Sequence, residues 1–270
     1  MKVRVAQLRR RIPYAVCVLS AVAFAQQDSG APTAAEQEKI LDGMRAYAAG
    51  YISNLPNFIC QQVTQQLEAG KKPKKWRQGD TIVSKLVFSE GRERRSLVSV
   101  NDKPAQLSRF VRRPLVTEGE FGVLLANIFN DKTQATFSWS GWQTLRGRRV
   151  AVFGYDVAKE HSTLRLSLSD LAHATVPYRG TVFGDPSTGV VLRITNSAYD
   201  IPPEVRTRSI ATTIDYDPVS IGGREYLLPV EASVLLNTGS HNILNRMQFR
   251  NYQKFGVEST ITFGSEAPSQ

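Results

Sequence analysis

Residues 228–236 read LPVEASVLL, and apolar residues alternate with other residues along most of this stretch. One face would carry Leu228, Val230, Ala232, Val234 and Leu236, and the other face Glu231 and Ser233. Alternation of this kind predicts a β-strand with one apolar and one solvated face, as in an antiparallel sheet.

The same period of two recurs along the chain, at residues 164–169, 190–195, 247–250 and 257–263. Turn-forming residues lie between such stretches at 90–91 (EG), 185–189 (DPSTG) and 222–223 (GG). Short hairpin loops use these residue types. The sequence therefore predicts a mainly β fold, built on a large antiparallel sheet of roughly ten to twelve strands. Twist makes so wide a sheet curl.

Two amphipathic helices are predicted to cover this sheet. Thr33 and Glu36 form a capping box before an apolar stripe that ends at residues 54–57 (NLPN). A second box, Thr117 to Glu120, precedes a shorter helix that ends near Asn130. Its apolar stripe is Phe121, Leu124, Leu125, Ile128 and Phe129, and we expect it to face Leu164, Leu192, Val230, Val234, Phe249 and Ile261.

The N-terminus has the composition of a secretory signal. Five cations and no acidic residue precede an apolar run over residues 12–25, which ends in Ala-Phe-Ala. Such a run is too short to span a bilayer and suits a cleavable signal peptide. We predict a signal peptide at 1–25, a flexible leader at 26–32, one β-rich domain at 33–264 and a flexible tail at 265–270. The mature protein would be soluble, periplasmic or secreted, and not membrane-spanning.

The charge of the mature chain is concentrated in one sector. The full sequence has 34 basic and 24 acidic residues, and loss of the signal leaves a net charge of +5. Residues 71–113 alone carry +9. Residues 71–77 (KKPKKWR) fall between two predicted strands, so Lys71, Lys72, Lys74, Lys75 and Arg77 form a candidate patch for an anionic envelope partner. The alternative is a solvated hairpin loop without a partner. Export argues against nucleic acid.

Catalytic signals are weak. The sequence contains no His-Glu-x-x-His and no Gly-x-Ser-x-Gly motif, and we predict neither a metal nor a cofactor. Cys60 is the one cysteine after the signal and shares an apolar face with Phe58, which predicts a buried thiol. A Cys60–His pair remains an alternative. Asp215 and Asp217 share a strand face beside Pro218, which favours a solvated strand end over a calcium or sugar site.

The layout resembles the half-barrel of the bacterial outer-membrane lipoprotein carrier (LolA-like) superfamily. The residues that carry this resemblance are the strand at 57–60 after the first helix, the hairpin at 180–194, and the strands at 213–216 and 226–230. The phrases LPNFIC (55–60), GEFG (119–122), YRG (178–180) and NYQKF (251–255) are similar to an uncharacterised family of exported bacterial proteins. The first resemblance implies a half-barrel that holds lipidated cargo; no functional residue is transferred.

Three functions remain open. The first is a non-enzymatic, exported binding protein that holds a lipophilic ligand or lipidated partner. The second is an envelope interaction or regulatory module without a ligand. The third is an enzyme with a scattered site. An open apolar concavity would favour the first, and one filled by side chains the second.

Overall fold

The computed structural model describes residues 30–72, 75–105, 121–169, 172–205 and 207–256. Within these ranges the helices are α1 (Ala34–Tyr51) and α2 (Val123–Phe129). The strands are β1 (Phe58–Gly70), β2 (Arg77–Ser89), β3 (Arg92–Val100), β4 (Lys103–Pro104), β5 (Thr136–Leu145), β6 (Arg148–Val157), β7 (Arg165–Ser169), β8 (Ala172–Thr175), β9 (Tyr178–Gly184), β10 (Val191–Ala198), β11 (Ser209–Ile221), β12 (Arg224–Asn237) and β13 (His241–Lys254).

Eleven of these strands form one antiparallel sheet, in the order β4-β3-β2-β1-β13-β12-β11-β10-β9-β6-β5. Strands β7 and β8 pair separately. The predicted fold class is confirmed: the protein is mainly β, and its large antiparallel sheet is not closed. The predicted turns are also confirmed, because residues 90–91, 185–190 and 222–223 connect neighbouring strands of the sheet.

The sheet has a helix-covered face and an outer face, which follow from the strand register. Phe58 and Cys60 on β1 alternate with outward residues, and the adjacent strand β13 buries Met247 and Phe249 on the same helix-covered face. This confirms that Cys60 and Phe58 share a buried face. A smaller cluster on the outer face consists of Leu145, Val150, Val152, Phe183 and Leu192.

Helix α1 begins as predicted. The Thr33 hydroxyl accepts from the Glu36 N–H, and a Glu36 carboxylate oxygen accepts from the Thr33 N–H at 2.8 Å. The helix lies close to the β9–β10 hairpin. The Met44 side chain occupies the space beside Gly184 that a Cβ would need, and the Gly43 backbone lies against Gly189. A Cβ on Gly189 would come within 2.3 Å of the Gly43 backbone, so a larger residue at Gly189 would separate the helix from the hairpin.

Helix α2 begins later than predicted. Its N-cap is Gly122, in the left-handed region with φ of 109°, and Phe121 lies in the preceding turn. The Thr117 capping box lies outside the described residues. A Cβ on Gly122 would come within 2.7 Å of the Tyr51 ring at the end of α1, so the turn requires glycine. The predicted end of the helix, near Asn130, is confirmed.

Two assignments to the helix-covered face were wrong. The register shifts between Val191 and Arg193, so Val191 joins the core under the helices and Leu192 joins the outer cluster. A second shift between Asp215 and Tyr216 leaves Val230 without an opposite residue on β11, and Val230 is not part of the core cluster under the helices. A bulge inserts one residue into a strand, and this reverses the faces that strict alternation predicts.

Candidate functional site

The candidate site is the helix-covered face, which is rich in aromatic side chains. The Phe58 and Phe88 rings stack with centroids 5.0 Å apart. The Phe121 ring lies 5.4 Å from Phe58 and 5.2 Å from Phe249, both measured between centroids. Aromatic pairs at these separations add to the stabilisation from burial. The sheet thus presents a continuous apolar surface toward α2.

The α2 segment fills the space above this surface. We call Phe121, Leu125 and Ile128 the covering residues; Leu125 is only 1% exposed and the other two are fully buried. They belong to the same core cluster as Val234 and Phe249, two of the sheet residues predicted to face them. Leu164 packs at the margin of this cluster, and Ile261 lies outside the described residues. Where the structure describes it, the apolar face is therefore filled by side chains.

A carboxylate on β3 fastens the start of the α2 segment. Glu93 Oε1 accepts a hydrogen bond of 3.1 Å from the Phe121 backbone N–H. Glu93 Oε2 lies 3.9 Å from Arg95 Nη2, and both side chains are largely buried. An isolated buried carboxylate is costly, whereas a paired one that accepts a hydrogen bond is tolerated. This contact was not predicted. Alternation along β3 indicates only that Glu93 and Arg95 share a face, and it does not show that Glu93 binds the Phe121 N–H.

Cys60 lies beneath the aromatic cluster and is 2% exposed. Burial raises the pKa of its thiol to about 12, although a hydrogen bond with Tyr252 opposes the shift. The Tyr252 hydroxyl in turn donates to the Pro229 carbonyl. A thiol with so high a pKa carries almost no thiolate at neutral pH, and the thiolate is the nucleophile. The geometry therefore favours a structural role for Cys60.

Polar side chains occupy the same face next to the apolar surface. Gln62, Thr64, Ser84 and Asn245 are all buried, and we call these four the polar zone. The register places Gln62 opposite Ser84 on β2 and opposite Phe249 on β13. Gln62 Nε2 donates to Thr64 Oγ1 at 3.0 Å. The helix-covered face therefore changes from aromatic to polar along β1.

The outer face carries two shallow depressions, of about 420 and 470 Å³, which share Asp215, Glu231 and Gln248. Asp215 accepts two hydrogen bonds from Arg193, at 2.8 and 3.0 Å. Arg146, at the tip of the β5–β6 hairpin, lies 2.9 Å from Asp217 and donates to the Tyr216 carbonyl. The interpretation of Asp215 as a solvated strand end was wrong, because its side chain is 14% exposed and held between two arginines.

The basic loop lies where the sequence placed it, between β1 and β2. Lys71, Lys72, Lys75 and Arg77 are exposed, and Lys74 lies outside the described residues. Among the described residues of this loop, no ligand-binding feature distinguishes an anionic patch from a solvated turn. Its role therefore stays a prediction.

The three histidines lie on three separate elements of the fold. His161 ends a short 3-10 helix, and His241 is the exposed first residue of β13. For His173, on β8, only the backbone is described. In the described part of the chain, no three His, Cys, Asp or Glu side chains are grouped to hold a metal ion. Among the described helices, none is long and apolar enough to cross a membrane.

Comparison with known proteins finds likeness in fold only. No protein-family model and no curated protein sequence matches the chain. A LolA superfamily protein from Nitrosomonas europaea is 11% identical, with 82% of this chain and 94% of that chain aligned and a TM-score of 0.35. A DUF1329 family protein from Desulfovibrio piger, also 11% identical, aligns over 82% and 95% with a TM-score of 0.42. The superfamily that the layout resembles is thus among the structural neighbours.

Proposed function

We propose that the protein is a non-enzymatic binding protein that holds a long lipophilic chain on the helix-covered face of its half-barrel. A filled concavity by itself favours an interaction module, but the element that fills this one is a seven-residue helix with a few apolar side chains over an aromatic surface, and this observation carries the proposal. A ligand chain would take the place of the covering residues when α2 moves away. The same sheet surface would then be buried in both states, by the ligand chain in the bound protein and by the covering residues in the ligand-free protein.

Helix α2 is better suited to this movement than α1. It has seven residues and no side-chain N-cap, whereas α1 has eighteen residues and a complete capping box. Helices shorter than about 12 residues are marginal without tertiary contacts. Helix α1 is also fixed by its close approach to the β9–β10 hairpin. The covering segment is therefore the element that a ligand would displace.

The covering residues set a minimum chain length for the ligand. Burying a large apolar side chain contributes about 1.5–3 kcal/mol, so exposing all three costs roughly 5–9 kcal/mol. Each buried methylene of a ligand contributes about 0.8 kcal/mol, and twelve contribute about 10 kcal/mol. A chain of about twelve carbons offsets the displacement of α2 over the whole of this range, whereas a chain of eight contributes about 6 kcal/mol and offsets only the lower part of it.

A chain-length series tests the proposal. We expect C12 and C16 fatty alcohols to raise the melting temperature and to displace the uncharged fluorescent probe N-phenyl-1-naphthylamine, because a bound ligand stabilises the folded state. The C8 alcohol should do both more weakly at the same concentration, because it buries fewer methylenes. Absence of any melting-temperature rise and of any displacement, for all three chains, would reject lipophilic binding.

The second candidate is an envelope interaction module without a ligand. The filled helix-covered face favours it, since the described core needs no ligand for completion. Native mass spectrometry of protein purified from its extracytoplasmic compartment separates the two candidates. A co-purified lipid supports the binding protein; bare protein, together with a negative chain-length series, supports the interaction module.

Export and an anionic partner belong to the same proposal. The five cations and the Ala-Phe-Ala site of residues 1–25 support cleavage before Gln26 and a periplasmic or secreted location. The exposed cations of the 71–77 loop support contact with an anionic envelope surface, and export leaves no role for nucleic acid. N-terminal sequencing of extracytoplasmic protein tests the first point: Gln26 is expected, and an intact Met1 there would contradict it.

A further inference from the structure

The polar zone contains a buried amide that the described protein does not fully satisfy. Gln62 is 5% exposed, and its Oε1 has no hydrogen-bond partner in the described part of the chain. If the amide were turned around, Oε1 would take the Thr64 contact and Nε2 would be left over. One end of the amide therefore lacks a partner in either orientation. A buried polar group in this state costs free energy and usually has a partner.

The adjacent hydroxyl completes a two-point pattern. Thr64 Oγ1 accepts from Gln62 Nε2, and no described residue accepts the proton of the Thr64 hydroxyl. Gln62 Oε1 and the Thr64 hydroxyl thus offer one acceptor and one donor on the same face of β1. An amide group, with one N–H and one C=O, is the complement of this pair.

Charges near the polar zone are already matched. Glu93 and Arg95 share the helix-covered face, and they pair with each other while Glu93 also binds the Phe121 N–H. The four residues of the polar zone are uncharged. A carboxylate or phosphate bound beside Gln62 would meet no free counter-charge from these four residues, and its desolvation would be costly. The zone fits an uncharged polar group.

We propose that Gln62 and Thr64 bind an amide at the head of the lipophilic ligand, with the chain on the aromatic surface beyond Phe249. This inference rests on the proposed function and specifies its ligand class: long-chain N-acyl or fatty amides. The Gln62 amide oxygen accepts the ligand N–H, and the Thr64 hydroxyl donates to the ligand carbonyl. Ser84 and Asn245 form the polar surroundings.

The test compares dodecanamide with dodecane as competitors of N-phenyl-1-naphthylamine, in the full mature chain. Gln62→Met has nearly the same shape without the hydrogen bonds. We expect it to weaken dodecanamide about tenfold, the size of one buried hydrogen bond, and to leave dodecane within about twofold. Gln65→Met, on the exposed outer side of the same strand, should change neither.

Each outcome decides the matter. Equal effects of Gln62→Met on both ligands, or none on either, would overturn the amide site and leave the proposed function in place. Failure of both ligands to bind the wild-type protein would overturn both. Infrared spectroscopy of dodecanamide labelled with ¹³C at its carbonyl needs no variant: bound to the wild-type protein it should absorb at the lower frequency of a hydrogen-bonded amide. A frequency equal to that in alkane solvent would refute the contact.

Discussion

Leu125→Ala tests whether α2 occludes a binding surface or is a permanent part of the core. Leu125 is 1% exposed and lies among the covering residues, so truncation leaves a cavity and costs about 2–5 kcal/mol. In a permanent core this loss lowers stability and nothing else. If α2 occludes a binding surface, the substitution destabilises the closed arrangement and leaves the open arrangement unchanged, because the Leu125 contacts are absent once α2 has moved away.

The two cases differ in the sign of the affinity change. When the competent state is a minor fraction, the apparent dissociation constant is the intrinsic one divided by that fraction. Destabilising the closed arrangement by about 2 kcal/mol raises the open fraction about 30-fold, since each 1.4 kcal/mol is a factor of ten. We therefore expect Leu125→Ala to bind dodecanol roughly 30-fold more tightly than the wild type does.

Probe displacement and thermal unfolding measure both quantities on the same samples. At about 2–4 °C per kcal/mol, the melting temperature of ligand-free Leu125→Ala should fall by several degrees. Leu235→Ala is the matched control, because Leu235 is 38% exposed and belongs to a strand of the same sheet; it should change affinity less than twofold. A large loss of stability with unchanged or weaker dodecanol binding in Leu125→Ala would refute the occlusion reasoning.

Three further predictions concern single features. A thiol reagent should label Cys60 at pH 8 only after unfolding, because burial raises the pKa of this thiol to about 12; rapid labelling of native protein would contradict the buried assignment. Replacing Lys71, Lys72, Lys74 and Lys75 with serine should change the unfolding free energy by no more than about 0.5 kcal/mol and weaken sedimentation with anionic vesicles; unchanged sedimentation would favour a solvated loop. Asp215→Asn should cost about 1–3 kcal/mol in denaturant unfolding, and the more exposed Asp217→Asn less than about 1 kcal/mol; equal costs would show that the Arg193 contact adds nothing.

Local chemistry explains which parts of the fold were predictable. Thr33 and Glu36 specify the start of α1 through contacts three residues apart, and those contacts are present. The two-residue turn at 222–223 likewise needs only its own glycines. Faces were misassigned where pairing with another strand shifts the register, as at Val191 and Val230. A bulge depends on the neighbouring strand, and periodicity within one strand does not reveal it.

The candidate site was predictable in outline and not in composition. The stripe of α2 indicated that Leu125 and Ile128 face the sheet, which the core confirms. Gln62 gave no signal, because it is adjacent to Gln61, and neighbouring residues of a strand lie on opposite faces, so a pair of glutamines does not show which face is buried. The ion pairs of Asp215 join residues from three different hairpins. Contacts of that kind depend on tertiary geometry, which the spacing of residues along the chain does not contain.

The position of β13 between β1 and β12 has a consequence for biogenesis. Asn251 and Gln61 contact each other although they are 190 positions apart in the chain. A chain that emerges N-terminus first would expose the full length of β1, thirteen residues, as an unpaired edge until β13 arrives. Long-range pairing of this kind folds slowly, and open edges associate with other chains. The interval between the emergence of β1 and the arrival of β13 is therefore when a holdase chaperone would protect the chain most.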